Sequence, residues 1–242
     1  MRPLLNRILR RDMGELAAVT TVAPGIAAEY RENFGIDCDL VLNAGPYRAP
    51  RPSQVKQPIR LVHHGGAQSD RQLERMIHGV GNVEGFSLDM YLLKMPREPQ
   101  YFDQLVREAN SYNNVRVHPA VAFDRVPETL DEYDLGLYLL PPNSFNNLHA
   151  LPNKFFDFVQ SGLPMVIGPS PEMAALAEEY GLGLVLPDWE AETLRNALPG
   201  ITTEQVEEWQ VHVCDAAKEL SSESGAEAIR DVVAKALENS SG

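Results

Sequence analysis

The 242-residue chain has little cysteine, little basic charge and no long apolar run. Its two cysteines, Cys38 and Cys214, stand far apart without CxxC or Cys/His spacing, so neither a zinc site nor a disulfide framework is indicated. A reducing, cytoplasmic setting fits best. Lysine and arginine number 21 against 34 aspartates and glutamates, and the resulting formal charge of −13 repels phosphate backbones. With no basic face interleaved with aromatics, nucleic acid is not an expected partner. No apolar stretch approaches the roughly 20 residues that span a bilayer. At 44 % hydrophobic and 23 % charged, the composition is that of a folded globular chain and not of a disordered one.

Four arginines, Arg2, Arg7, Arg10 and Arg11, surround Leu4, Leu5, Ile8 and Leu9. That apolar run is too short for a signal peptide and no small-residue cleavage site follows. It reads as a basic amphipathic helix, capable of weak contact with a membrane surface. Next come a strand-like Ala17–Val22, a helix through Ile26–Phe34 ending at Gly35, and a short strand at Asp39–Leu42. Residues 1–45 supply only a couple of parallel-sheet elements and read as a remnant or add-on. The proline-rich, aperiodic stretch that follows makes 46–58 the linker.

From Ile59 the pattern turns regular. Strands are expected at Ile59–His64, Ser87–Lys94, Val115–His118, Asp134–Leu140, Pro164–Ile167 and Leu184–Leu186. Helices lie between them: one from Ser69, with Gln72 completing a capping box, then Gln100–Ser111, Lys154–Ser161 capped by Asn153, and Pro171–Tyr180 capped by Ser170. Strands alternating with helices are what a parallel, right-handed βαβ sheet requires, so 59–199 reads as an α/β, doubly wound, Rossmann-like domain. Residues 200–242 carry two amphipathic helices, with Val206, Trp209, Val213 and Leu220 on one stripe and Ile229, Val232, Val233 and Leu237 on the other.

In such a sheet ligands bind beyond the carboxyl ends of the strands, and three loops there are chemically suggestive. In His63 to Arg71, Gly65 and Gly66 allow close backbone approach, the helix start offers free amides and Arg71 adds a positive charge, a combination suited to phosphate. A tight turn with a surface arginine explains it equally well. Between Pro141 and Lys154 runs a long asparagine-rich connection, with Lys154 and Asp157 three residues apart on the next helix. One cation for phosphate and one carboxylate for a ribose diol would converge there; otherwise the two form a surface salt pair. The third loop, Ala120 to Asp124 with Val121 and Phe123, could hold a flat base or simply pack. His63, His64 and His118 at strand ends read as structural histidines, and no ligand pattern points to a metal.

The run from Tyr133 to Ile167, with Leu-Pro-Asn-Lys at 151–154 and Ser-Gly-Leu-Pro at 161–164, resembles the donor-binding region of GT-B glycosyltransferases of the family-4 type. So do Leu61 to Gly66 with Arg71, and Val115 to Val121. The resemblance extends over about Ala18 to Leu186. It implies that a nucleoside-diphosphate sugar is the donor substrate, that no separate cofactor is needed and that transfer is retaining. Such enzymes carry an acidic pair separated by seven residues, the first near the donor sugar and the second on the ribose. Asp157 matches the second, whereas His149 stands at the first. The resemblance further implies that Arg71, Lys154 and the amides of Ala150 and Leu151 contact the diphosphate, with Asn153 at the helix start, and that Val121 to Phe123 holds the base.

Only the final strand and helix of that family's acceptor domain are matched, at Thr20 to Ala27. A partner-dependent module, served by a separate acceptor-domain chain or forming a homodimer through apolar surface at Leu4–Leu9 and the terminal helices, is therefore the alternative to a complete enzyme. A sugar-nucleotide epimerase of similar architecture has no residues here to single it out. No catalytic base is visible.

Overall fold

The computed structural model describes residues 16–240 together with Arg7 and Arg11; the expected basic helix over Leu4–Leu9 lies outside the described residues. Two parallel sheets are formed. The small one pairs β1 (Thr20–Thr21) with β2 (Asp39–Leu40), Thr20 opposite Asp39, around helix α1 (Pro24–Phe34). Helix α1 ends as the sequence suggests, at Gly35 in the left-handed region (φ 69°). Both strands are shorter than expected.

The large sheet contains β3 (Ile59–Ala67), β4 (Phe86–Lys94), β5 (Val115–Pro119), β6 (Leu135–Tyr138), β7 (Met165–Ile167) and β8 (Gly183–Val185). Every neighbouring pair is parallel, in the order β5-β4-β3-β6-β7-β8. All six expected strands are present, and the α/β Rossmann-like expectation is met. Between them lie α2 (Glu74–Val80), α3 (Pro99–Ala109), α4 (Val126–Leu130), α5 (Phe145–Leu148), α6 (Asn153–Gln160) and α7 (Pro171–Tyr180), and after β8 come α8 (Ala191–Ala197), α9 (Thr203–Ala216) and α10 (Ser222–Ser240). The short α4, α5 and α8 lack a full apolar period, which hides them from the sequence pattern.

Strand alternation divides the core. Ile59 and Leu61 face one layer with Met76, Ile77, Met90 and Leu105, while Val62 faces the other with Phe155, Phe158, Met165 and Val213. Strand β6 begins after Asp134 because that buried carboxylate accepts the Arg60 amide at 2.8 Å and two guanidinium N–H groups at 3.0 Å each, bonding β3 to the chain before β6. Residues 46–58 have no regular structure but are pinned: Ser53 N–H donates to Gln210 at 2.8 Å, Val55 N–H to Glu207 at 3.0 Å, and Arg48 binds Asp131.

Two helix starts differ from expectation. Ser69 opens a 3-10 turn instead of α2, because Glu98 takes both its amide (3.2 Å) and its hydroxyl (2.5 Å), and Gln72 then adopts a left-handed conformation (φ 49°). The capping box is therefore not formed. Asn153 is the first residue of α6 rather than its cap; its Oδ1 accepts a hydrogen bond from Asn43. Ser170 does precede Pro171 at the start of α7, though its hydroxyl makes no capping bond.

Helix α6 buries Phe155, Phe156 and Phe158 almost completely. Truncation of such a ring removes apolar burial and leaves a cavity, so Phe156→Ala should cost about 3–5 kcal/mol in urea unfolding. A loss below about 1 kcal/mol would mean that the α6 layer tolerates collapse.

Candidate functional site

The strand order reverses between β3 and β6, the only neighbours in the sheet that are not consecutive strands, since β4 and β5 come between them in the chain and both lie beyond β3, and a crevice opens beyond the carboxyl ends of β3 and β6. Two adjoining cavities occupy it. One of about 350 Å³ is lined by His64, Gly65, Arg71, Phe123, Val126, Pro152, Asn153, Lys154 and Asp157. The other, of about 250 Å³, shares His64, Gly65, Phe123 and Val126 and adds Gly66, Tyr91, Leu93, Ala120 and Val121. Together they form a two-lobed cleft on the scale of small-ligand sites, roughly 300–1,000 Å³. A larger hollow of about 620 Å³, with Arg60, Asp89 and Arg116 in its wall, opens at the amino-terminal ends of β3, β4 and β5, the edge of a parallel sheet that does not gather ligand-binding loops.

The phosphate-sized end is built around Gly65. Its φ of +133° is a conformation that favours glycine, and a Cβ there would come within 2.9 Å of Lys154 Nζ, with Arg71 Nη1 3.9 Å away. Two basic side chains thus converge on bare backbone. Lys154 Nζ is buried without a hydrogen-bond partner among the described residues and lies 4.2 Å from the centroid of the Tyr138 ring. Burial, reinforced by the charge of Arg71 and opposed by Asp157, holds its pKa well below 10.5. The amides of Ala150 and Leu151, just before α6, donate to no protein acceptor among the described residues.

Asp157, one turn into α6, lines the lobe of about 350 Å³. Burial pushes its pKa up to about 6, with Lys154 pulling it partly back. His64 Nε2 is 3.5 Å from the Asp157 carboxylate. Burial first, then Lys154, drives His64 down to about 3, so this is a neutral imidazole beside a carboxylate and not an ion pair at pH 7. The surface salt pair weighed for Lys154 and Asp157 is not formed: Lys154 is buried and has no ion partner among the described residues. The base-sized lobe is largely apolar. Phe123, 84 % exposed, stands at its mouth, and at its wall Tyr91 stacks on His118 and shares a hydroxyl contact of 2.9 Å with Tyr133.

Of the candidate residues, the cleft brings together Gly65, Gly66, Arg71, Val121, Phe123, Asn153, Lys154 and Asp157. His149, Ala150 and Leu151 do not line either lobe; His149 turns toward Glu172, 3.0 Å from it. His63 and His118 behave as structural groups, bonded to the Leu137 carbonyl at 2.9 Å and to Asp89 at 2.5 Å. His64 does not, because it faces both lobes and Asp157. The sequence reading missed it, together with Tyr91 and Val126. Adjacent histidines on a strand point to opposite faces, and that alternation is the signal that separates His64 from His63.

No protein-family model and no curated sequence matches this chain. Solved structures do. A glycosyltransferase from Rickettsia africae superposes with a TM-score of 0.77 at 11 % identity, covering 97 % of this chain and 67 % of that one. Sucrose-phosphate synthase from Thermosynechococcus elongatus gives 0.75 at 14 % identity, over 92 % and 59 %. The pneumococcal O-GlcNAc transferase GtfA, solved with UDP and GlcNAc, gives 0.66 at 9 % identity, over 95 % and 47 %. The fold is that of the GT-B glycosyltransferases. The chain spans between about half and two thirds of the length of these structures.

Proposed function

We propose that the cleft between β3 and β6 binds a nucleoside-diphosphate sugar and that the chain is the donor side of a retaining, family-4-type glycosyl transfer. The observation that carries this reading is the convergence of Lys154 and Arg71 on Gly65, with Asp157 one helical turn away and an apolar lobe beyond it. The arrangement suits the three parts of a nucleotide in order. A base fits beside Val121 and Phe123, a ribose diol can donate to the Asp157 carboxylate, and a diphosphate meets the basic side chains of Lys154 and Arg71. As the bond from sugar to diphosphate breaks, negative charge grows on the leaving phosphate. Lys154 and Arg71, both beside Gly65, would stabilise it.

The alternative, a nucleotide-sugar-binding module that needs a separate acceptor-binding chain, draws on the exposed apolar side chains Ile229, Val233 and Leu237 along α10. Donor hydrolysis by the isolated chain separates the two readings.

Calorimetric titration with UDP, GDP and their sugars is the direct test, UDP first because GtfA was solved with it. We expect micromolar to millimolar binding of one series, and an Asp157→Ala variant should lose far more nucleoside affinity than a His149→Ala variant. No binding of any nucleotide at millimolar concentration overturns the donor-site reading.

A further inference from the structure

His64 stands on β3 opposite Tyr91 of β4, and its ring lines both lobes of the cleft. From the α6 side Phe158 meets it edge-on, ring centroids 5.7 Å apart at 86°. The side chain is only 12 % exposed. An apolar residue would fill such a place without burying two ring nitrogens, so a histidine here carries a desolvation cost that packing alone does not offset.

The two nitrogens differ in their surroundings. Nε2 is enclosed and has no hydrogen-bond partner among the described residues; it faces the Asp157 carboxylate at 3.5 Å, just beyond the usual N–H to oxygen range of about 2.7–3.2 Å. Nδ1 bonds to no protein group among the described residues either, but it is not enclosed, so it is the nitrogen that the cleft reaches. Burial and then Lys154 hold the ring neutral at pH 7, and a neutral imidazole has one N–H and one lone pair. Asp157, ionised above about 6, only accepts. A lone pair on Nε2 would oppose that carboxylate, whereas an N–H there is attracted to it. The proton therefore belongs on Nε2 and the lone pair on Nδ1, toward the ligand space. Of the side chains lining the base-sized lobe only His64 and Tyr91 carry polar atoms, and the Tyr91 hydroxyl is already 2.9 Å from that of Tyr133.

We propose that His64 is a specificity-determining residue of the nucleoside end: Asp157 holds its proton on Nε2, and Nδ1 accepts a hydrogen bond from a donor hydrogen of the bound nucleoside, on its base or on its ribose. The assignment rests on the nucleotide-sugar reading and adds to it a contact that favours nucleosides with an N–H or O–H at this point over those without one.

The ¹⁵N-imidazole spectrum of the ligand-free wild type at pH 7 should show His64 protonated on Nε2. When the nucleotide that binds, UDP or GDP, is added, the Nδ1 resonance should move upfield, as a lone pair accepting a hydrogen bond does. In calorimetric titration His64→Leu should bind that nucleotide about tenfold more weakly, the loss of one hydrogen bond, and His64→Asn, whose amide oxygen can stand near the Nδ1 position, should recover most of the difference. Three analogues identify the donor: the nucleotide methylated at the ring N–H of its base, its 2′-deoxy form and its 3′-deoxy form. One of them should lose about tenfold more affinity for the wild type than for His64→Leu, and that one lacks the hydrogen that Nδ1 receives. A proton on Nδ1, equal affinity of wild type and His64→Leu, or analogue losses that are the same in both proteins overturns the role of His64 and leaves the cleft a nucleotide site. Failure of the wild type to bind either nucleotide overturns the nucleotide reading itself, and this contact with it.

Discussion

Lys154→Met is expected to make the ligand-free protein more stable by about 1–3 kcal/mol at pH 7 and to weaken UDP binding by about 10–100-fold. Methionine fills the volume under the Tyr138 ring and needs no hydrogen bond, whereas the amine it replaces is buried and has none. The sign of the pH dependence follows from burial. In the unfolded chain the amine holds its proton up to 10.5, and in the folded protein it releases it earlier. The unfolded state therefore binds more protons over that window, and wild-type stability rises as pH approaches 10.5. The variant lacks this slope, so its advantage should shrink between pH 7 and pH 9 in urea unfolding. A bound diphosphate favours the charged amine, so UDP titrations in buffers of different ionisation enthalpy should report more proton uptake by the wild type than by the variant. Uridine, which has no phosphate, should bind both within about a factor of two. A variant that is less stable yet keeps its UDP affinity would remove Lys154 from the phosphate site.

The parts of this site that were legible in the sequence are those fixed by local spacing. Lys154 and Asp157 share a helix face because they are three residues apart, and Gly65-Gly66 stand directly after the apolar run that marks a strand from Ile59, although the strand itself continues through them to Ala67. Contacts between distant elements left no such mark. His64 meets Asp157 only because β3 and β6 are neighbours and α6 packs over them. Glu172 reads as an ordinary acidic residue in the first turn of a helix, and only the approach of α1 turns it toward Gly25 and His149. The capping box at Ser69 failed for the same reason, since Glu98 from the following strand-to-helix loop outcompetes a local bond. The sequence pattern thus carried the succession of strands and the spacing of Lys154 and Asp157, while the contacts of His64, Glu172 and His149 depend on tertiary packing. A buried lysine and a carboxylate of raised pKa, both costly to the fold, mark the cleft as a place where stability has been set against ligand chemistry.

Asp157→Asn should show that opposition from the nucleoside side. The folded carboxyl titrates at about 6 and the unfolded one near 3.8, so between these values the folded state keeps a proton that the unfolded state has lost. Stability conferred by the protonated form is complete below 3.8 and is lost as pH rises through 6; the interval corresponds to roughly 3 kcal/mol. Asparagine cannot ionise, so the variant should be more stable than the wild type at pH 7 and about equal to it at pH 4. Binding runs the other way. A ribose diol donates to the ionised carboxylate, so wild-type affinity for uridine should rise with pH, level off above 6 and be about tenfold weaker at pH 5. The groups facing Asp157 do not confuse this test: His64 titrates at about 3, and uridine has no phosphate to respond to Lys154. In the variant the pH dependence should disappear and affinity should stay low throughout, because an amide offers one acceptor where the carboxylate offers two. Uridine titrations from pH 5 to 8 decide the matter, and a wild-type affinity that does not change across that range would detach Asp157 from the ribose.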